Sequence, residues 1–207
     1  MMQFDHIAIA ATTLAEATEY VETALGVKMQ PGGEHAVFHT HNTLLGLADG
    51  LYLEAIAINP AAPQPDRARW FDLDRFSGPA RLTNWICRCD DMDALLAQMP
   101  DLPPDGAGQP VDLQRGDLRW RMAVPPGGVL PYDNCWPALI QWQTTQHPAD
   151  RLAASGVRLK RLIVSHPHAD DMRTALAPML HDARVVFDTG PAALRAEFDT
   201  PHGPRAL

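Results

Sequence analysis

The sequence has few cysteines, no concentrated positive charge and no long hydrophobic run. Cys87, Cys89 and Cys135 are its cysteines, and this odd number in a chain of 207 residues does not suggest a disulfide framework. Cys87 and Cys89 lie two apart in a strand-like run, so we expect two small buried side chains on one face rather than a metal or redox site. No apolar stretch is long enough to span a bilayer, and no basic start precedes an apolar run. We therefore expect no membrane partner and a cytoplasmic protein.

The charge balance argues against a nucleic-acid partner. The chain has 17 basic and 25 acidic residues, a formal net charge of −8, and its densest basic cluster is only Arg158, Lys160 and Arg161. Phosphate binding needs a basic face, so we expect no nucleic acid to bind. The hydrophobic fraction of 46% is ordinary for a globular protein and sufficient for a core in one or two compact domains.

Short apolar runs separated by proline- and glycine-rich loops predict the first group of elements. Thr13 and Glu16 form a capping-box pattern, and Gly26 is a typical residue just after a helix end. Asp49-Gly50 is a strong hairpin signal. The pattern predicts strands at 4–10, 43–48 and 51–58 and a helix from Thr13 to about residue 25.

The same order of elements then recurs. The second copy has predicted strands at 82–89, 118–124 and 138–143 and a helix at 91–99. The third has strands at 159–165, 185–188 and 194–199 and a helix at 170–180. Segments 89–99 and 169–179 are identical at six of eleven positions. Each copy of such a repeat buries its apolar face against another. We therefore predict an α+β fold with paired βαβββ modules in residues 1–145 (1–81 and 82–145), then a linker and a third partial βαββ module in 146–207.

The repeat aligns four polar side chains on the first and last strands of the two modules. An offset of 78 places His6 over Asn84, and an offset of 87 on the last strands places Glu54 over Gln141. His6 is expected to share its strand face with Phe4 and Ala8. A charge such as Glu54 on an apolar strand face needs a partner or a function.

These segments resemble the vicinal-oxygen-chelate superfamily, which includes glyoxalase I, extradiol dioxygenases and antibiotic-resistance binding proteins. The pattern is most similar to the glyoxalase-like domain family. The match covers most of residues 3–150. Its telling segments are Phe4-Asp5-His6-Ile7-Ala8-Ile9, Pro31-Gly32-Gly33-Glu34-His35, Thr40-His41-Asn42-Thr43-Leu44, Asp49-Gly50-Leu51-Tyr52-Leu53-Glu54, Leu118-Arg119-Trp120-Arg121 and Ala138-Leu139-Ile140-Gln141-Trp142.

The resemblance implies a curved mixed sheet that forms a cup, in which a divalent metal is often held by the first and last strands of each module. It maps those positions onto His6, Glu54, Asn84 and Gln141. Asn84 and Gln141 are neutral amides, which are poor ligands for borderline metals, so the second module departs from the metal-binding pattern. Catalytic metals usually have three protein ligands, and His41 is a candidate third.

Each candidate residue keeps a plainer alternative. His6 and Glu54 are a metal pair, an acid/base pair without metal, or a structural hydrogen-bonded pair. His41 and Asn42 contact substrate or form a turn. Six residues are expected to contact a small molecule: His41, Asn42, Asn84, Trp120, Gln141 and Trp142, with Trp85 a further aromatic candidate. Amides suit substrate contacts because they both donate and accept, whereas any single tryptophan is more often in the core.

One motif is interpreted as structural. The segment Ser165-His166-Pro167-His168-Ala169-Asp170-Asp171 resembles the first motif of metallo-β-lactamase hydrolases, but its last position is Asp171 instead of histidine, and only 36 residues follow. The repeat explains the two acids, which favour a helix start. The alternative is an adventitious surface metal at His166 and His168.

Three functions remain open from the sequence. The first is a glyoxalase-like isomerase or lyase that acts on a small oxygen-rich molecule, with His6 and Glu54 as catalytic residues that hold a divalent metal or with Glu54 moving protons directly. The second is a metal-free protein that binds or sequesters such a molecule without catalysis. The third is a partner-binding subunit with a vestigial cup. Exposed sheet edges make a homodimer plausible.

Overall fold

The computed structural model describes residues 1–99, 102 and 106–207. Its strands are β1 (Met2–Ala10), β2 (Gln30–His35), β3 (Thr40–Gly46), β4 (Tyr52–Ile58), β5 (Arg81–Cys89), β6 (Gln109–Arg115), β7 (Leu118–Val124), β8 (Ala138–Trp142), β9 (Arg158–Ser165), β10 (Val185–Asp188), β11 (Ala193–Thr200) and β12 (Gly203–Ala206). Its helices are α1 (Leu14–Leu25), α2 (Met92–Leu96), α3 (Pro148–Arg151) and α4 (Ala169–Leu176). None of the helices described is long and apolar enough to cross a membrane.

The first helix forms as its sequence predicts. The Thr13 hydroxyl accepts a hydrogen bond from the backbone N–H of Glu16 at 3.2 Å, and the Glu16 carboxylate accepts one from the N–H of Thr13 at 3.0 Å. Gly26 ends the helix with φ 71°, a backbone angle that glycine adopts at little cost. The buried face of α1, which includes Ala17 and Val21, packs on the outer side of the sheet.

The eight strands between residues 2 and 142 form one curled mixed sheet, in the order β2-β3-β4-β1-β5-β8-β7-β6. The two modules join at its centre, where β1 pairs with β5 in the antiparallel direction. The outermost strands β2 and β6 approach each other at Gly33 and Arg115. A Cβ atom on Gly33 would lie 2.7 Å from Cδ of Arg115, so the missing side chain permits this approach. The predicted α+β fold with a cup built from paired modules is confirmed.

A bulge in β1 changes the faces expected for its side chains. The register shifts between Phe4 and His6, so Asp5 is an extra residue relative to β5. Phe4 consequently packs with Trp85 on the outer side of the sheet, whereas His6 points into the cup. The expectation that Phe4 and His6 share a face is therefore wrong, because it assumed uninterrupted alternation along the strand.

The third copy forms its own four-stranded sheet, in the order β10-β9-β11-β12. It packs behind the cup, where Phe187 contacts the edge of Trp85 with ring centroids 6.4 Å apart. Its helix begins at Ala169, close to the predicted position. The division of the chain into domains at residue 145 stays a prediction.

Three strands were not predicted from the sequence: β2, β6 and β12. Each contains proline or glycine, such as Pro31 in β2 and Pro110 in β6, which lower strand propensity. All three lie at sheet edges, where proline is tolerated because no ladder partner needs its missing N–H. Part of the proline- and glycine-rich loop between α2 and β6 lies outside the described residues. The expected burial of Cys87 and Cys89 is confirmed, and both are free thiols.

Candidate functional site

The cup encloses a small chamber of about 30 Å³, lined by side chains from both modules. Its polar lining includes His6, His35, Asn42, Glu54 and Arg115. Aromatic and apolar walls complete it: Leu44, Tyr52, Trp70, Phe71, Trp120, Met122, Ile140 and Trp142. The chamber has room for about one or two water molecules.

Asp5 orients the imidazole of His6. The Asp5 carboxylate lies 2.6 Å from Nδ1 of His6, 2.9 Å from Nε2 of His147 and 3.1 Å from the indole N–H of Trp142. Burial opposes ionisation of this carboxyl, but the hydrogen bonds from His147 and His6 hold the pKa of Asp5 well below its usual range. An ionised Asp5 fixes the proton of His6 on Nδ1, which leaves the lone pair of Nε2 facing the chamber.

The open nitrogen of His6 faces Glu54. Nε2 of His6 lies 3.9 Å from Oε2 of Glu54 and 3.4 Å from the hydroxyl of Tyr52, whose ring stacks on the imidazole. Burial, followed by the charges of Asp5 and Glu54, raises the pKa of Tyr52 well above its usual value. Tyr52 therefore keeps its proton and donates it in the hydrogen bond to Nε2.

Asn42 holds the other oxygen of Glu54. Its Oδ1 accepts hydrogen bonds from the N–H of Gly33 at 2.8 Å and from the guanidinium of Arg115 at 3.2 Å. These two bonds fix the orientation of the amide, so its Nδ2 donates to Oε1 of Glu54 at 2.5 Å. Gly32 permits the arrangement, since a Cβ atom there would lie 2.0 Å from Oδ1 of Asn42.

His35 is a neutral acceptor in the same network. Burial, followed by the positive charge of Arg115, lowers the pKa of His35 to about 3. Its Nδ1 lies 2.9 Å from the hydroxyl of Thr40, and its Nε2 accepts from Nδ2 of Asn42 at 3.4 Å. His35 is thus a polar wall of the chamber that carries no charge near neutral pH.

The structure brings five of the nine candidate residues together at this chamber: His6, Glu54, Asn42, Trp120 and Trp142. His41 instead points to the opposite face of β3, because its neighbours Asn42 and Thr40 point into the cup and strand side chains alternate. Its Nε2 is buried without a partner in the described part of the chain. The roles assigned to the five residues stay predictions.

Gln141 lies outside the cup, which corrects the expectation that it faces Glu54. Its side chain donates to the carbonyl of Asp90 at 2.6 Å and accepts from the N–H of Met92 at the start of α2. In the first module Ala8 is the register partner of Glu54. The residue equivalent to Ala8 in the second module is Ile86, whose partner is Ala138. The sequence alignment of the last strands was therefore out of register, and alanine stands where the first module has glutamate.

Asn84 lies in the cup but not on the chamber wall. It sits in one row with Glu54 and Ala8 across β4, β1 and β5. Its Oδ1 accepts a hydrogen bond from Asn134 at 3.4 Å, and its buried Nδ2 has no partner among the residues described. The expectation that four polar side chains share one cup is therefore right for His6, Glu54 and Asn84, although Asn84 does not reach the chamber wall, and wrong for Gln141.

The residues present do not fit the metal centre that the family resemblance implies. Within residues 1–99, 102 and 106–207, no group of three or more His, Cys, Asp or Glu side chains is placed to hold a metal ion. The amide NH₂ of Asn42 donates to Oε1 of Glu54 and to Nε2 of His35, and these bonds occupy one oxygen and one nitrogen that could otherwise bind a metal. At the equivalent positions of the second module stand Asn84 and Ala138. Asn84 accepts a hydrogen bond from Asn134, and alanine has no atom that can bind a metal.

The motif around His166 is structural, as interpreted from the sequence. His166 is buried, and its Nε2 lies 3.2 Å from the carboxylate of Asp133. Its Nδ1 accepts from the N–H of His168, just before α4 begins. Met172 and Leu176 anchor that helix on the second sheet.

The sequence reading missed four residues that shape the chamber: Asp5, His35, Tyr52 and Arg115. Asp5 lies at the bulge, which no local pattern revealed. His35 and Arg115 lie on the unpredicted edge strands β2 and β6. Tyr52 stands two residues before Glu54, and this period-two spacing was the available signal that both share a face.

Comparisons with known proteins agree with this fold. A family model described as a glyoxalase-like domain matches residues 4–180. A hypothetical protein from Staphylococcus aureus has a similar structure, with a TM-score of 0.61, 13% identity, and coverage of 93% of this chain and 88% of that one. The Mn(II)-bound glyoxalase from Novosphingobium aromaticivorans has a TM-score of 0.50, 10% identity, and coverage of 98% and 81%. No curated protein sequence matches the chain.

The chain has the curled-sheet fold of the vicinal-oxygen-chelate superfamily. It belongs to the glyoxalase-like domain family.

Proposed function

We propose that the chain binds a small oxygen-bearing molecule in the cup and transfers a proton on it with His6 and Glu54, without a metal. The observation that carries the proposal is the facing pair itself. Nε2 of His6 and Oε2 of Glu54 lie 3.9 Å apart, and the remaining polar atom of each group is anchored, to Asp5 and Asn42 respectively. Two oriented proton-transferring groups on one chamber are what an isomerase or lyase needs.

The chain's own residues supply each part of such a reaction. Nε2 of His6 takes a proton from carbon next to a carbonyl, and the imidazolium formed is stabilised by Asp5. Arg115 lines the chamber and stabilises the negative charge that develops on the carbonyl oxygen. The imidazolium passes this proton to Oε2 of Glu54, and Glu54 returns a proton to a carbon of the enolate, so that both groups regain their starting charge. Trp70 also lines the chamber, and its buried indole N–H has no acceptor among the described residues, which suits a ligand oxygen.

The metal-assisted version of the reaction is the alternative. The Mn(II)-bound glyoxalase has a similar fold, but at 10% identity it informs the fold alone. Elemental analysis of the purified protein separates the two. We expect substoichiometric metal in the wild type. A stoichiometric divalent metal that disappears in a His6→Ala variant would establish the metal-assisted version instead.

Solvent exchange tests the proton transfer directly. Incubation with 2-oxobutanoate in D₂O, followed by proton NMR, measures exchange of the hydrogens next to the carbonyl. We expect exchange above the buffer rate, reduced about 100-fold or more in His6→Gln and Glu54→Gln, which keep the side-chain size. Binding without exchange would favour the metal-free binding and sequestration protein. The homodimer and the cytoplasmic location stay predictions.

A further inference from the structure

The chamber is too small for a substrate, and a second cavity lies beside it. The chamber of about 30 Å³ holds one or two waters, whereas small-molecule sites usually need about 300 Å³ or more. The neighbouring cavity measures about 300 Å³. Phe71 lines both cavities, so the two cavities meet at this residue.

We infer that the two cavities are halves of one substrate site, divided by Phe71, and that the outer half binds an elongated tail ending in an anionic group. The inference rests on the proposed function for the identity of the inner half. A compact oxygen-bearing head enters the chamber at His6 and Glu54, while the rest of the molecule occupies the outer cavity.

The backbone at Phe71 is held in an unusual conformation. Phe71 has φ 59° and Asp72 has φ 57°, in the left-handed region that bulky residues rarely adopt. On the opposite wall of the outer cavity, Asp133 and Asn134 also have positive φ. Asn134 reaches across and donates to the carbonyl of Phe71 at 3.4 Å. Such conformations persist where the surroundings enforce them, and they cluster at ligand sites.

An unpartnered polar group lies in the row between the two halves. Ala8 stands between Glu54 and Asn84 on the inner face, and Asn84 accepts a hydrogen bond from Asn134, which lines the outer cavity. Nδ2 of Asn84, on a side chain with no exposed surface, has no partner among the described residues. A ligand that passes Phe71 meets this donor midway along its length.

Arg81 supplies the outer cavity with a cation that suits an anionic tail. Asp72 is paired with Arg75 at 2.7 Å, and the Asp133 carboxylate lies 3.2 Å from Nε2 of His166. Arg81 is held over the ring of Phe76 and donates to the carbonyl of Ser77, and no carboxylate of the described chain pairs with it. Its positive charge at the cavity is therefore available to a carboxylate or phosphate.

The first test asks whether Phe71 controls access to the chamber. Diethyl pyrocarbonate modifies neutral imidazoles, and mass spectrometry resolves the rate at each histidine. Phe71→Gly removes the ring and suits the left-handed backbone, so the fold is expected to persist. We expect the modification of His6 and His35 to accelerate about tenfold, which corresponds to a decrease of about 1.4 kcal/mol in the free energy of opening the chamber. Phe71→Asn, which also tolerates this backbone, is expected to change in the same direction.

Asp72→Gly is the matched control, because Asp72 has the same backbone conformation but lines only the outer cavity. We expect its rates at His6 and His35 to match those of the wild type. Equal acceleration in both glycine variants, or none in Phe71→Gly, would overturn the role of Phe71.

The second test asks whether the outer cavity binds a negatively charged tail in preference to an uncharged one. Calorimetry compares 2-oxooctanedioate with 2-oxooctanoate, which has the same length without the terminal carboxylate. We expect the diacid to bind about tenfold more tightly, and this preference to vanish in Arg81→Ala and to persist in the exposed control Arg119→Ala. The diacid is also expected to protect His6 and His35 from modification.

Diacid binding without protection would show two separate sites and overturn the inference. Equal binding of the two acids would overturn the assignment of the tail. Neither readout requires catalysis, so failure of the proton exchange described above would leave these results distinguishable from failure of the proposed function.

Discussion

The carboxylate of Asp5 and Nδ1 of His6 lie 2.6 Å apart, and this contact decides which nitrogen of the imidazole faces Glu54. The two residues are consecutive, and their side chains meet because a bulge in β1 places both on the inner side of the sheet. A carboxylate that holds one ring nitrogen of a histidine fixes the tautomer and the orientation of the ring.

Asp5→Asn removes the charge that orients His6. We expect loss of the fixed Nδ1–H tautomer, a fall in proton exchange of about tenfold or more, and destabilisation of roughly 2–3 kcal/mol, since a buried hydrogen-bonded charge is lost. Nitrogen NMR of the imidazole reports the tautomer, and urea unfolding reports the free energy. Asp66→Asn, at an exposed position, is the control. An unchanged tautomer in Asp5→Asn would contradict the role of Asp5.

His35 makes the protein sensitive to acid. Its pKa falls from 6.5 to about 3 on burial, so between these pH values the unfolded chain binds a proton that the folded chain does not. The free energy of unfolding therefore decreases as the pH falls from about 6.5 to about 3, by at most about 5 kcal/mol.

A His35→Gln variant isolates this contribution. We expect its unfolding free energy, measured by urea titration at several pH values, to vary less than that of the wild type between pH 6 and pH 4. His181→Gln, an exposed substitution, is expected to keep the wild-type dependence. Parallel curves for the wild type and His35→Gln would show that His35 is not the group responsible.

Gly32 is required for the orientation of Asn42. A methyl group there would lie 2.0 Å from Oδ1 of Asn42, which would displace the amide and break its bonds to Gly33 and Glu54. We expect Gly32→Ala to cost about 2–3 kcal/mol of stability and to weaken binding in the cup. At Gly190 the nearest atom would lie 3.9 Å away, so Gly190→Ala is expected to unfold like the wild type. Similar unfolding of both variants would refute the packing argument.

Gln141 tests the corrected register of β8. Because its side chain bonds to Asp90 and the start of α2, we expect Gln141→Ala to cost about 1 kcal/mol while ligand binding and proton exchange stay unchanged. Calorimetric binding of 2-oxooctanedioate provides the measurement. A large loss of affinity with unchanged stability would show that Gln141 contacts the ligand and would contradict the corrected register.

The local pattern of the chain determined the modules, the α1 cap, and the choice of His6 and Glu54 as candidates. Hydrophobic periodicity, turn residues and repetition depend on residues that are close in the sequence, so they can be recognised without coordinates. The resemblance to the glyoxalase-like domain family rests on those same short segments and is confirmed.

The tertiary structure alone decided which side chains meet. Strand side chains alternate with a period of two, so the bulge at Asp5 and the shifted register at Gln141 each moved a residue to the other face. His35 and Arg115 reach the chamber because two edge strands meet after the sheet curls. That contact joins residues about 80 positions apart, and no local pattern encodes it.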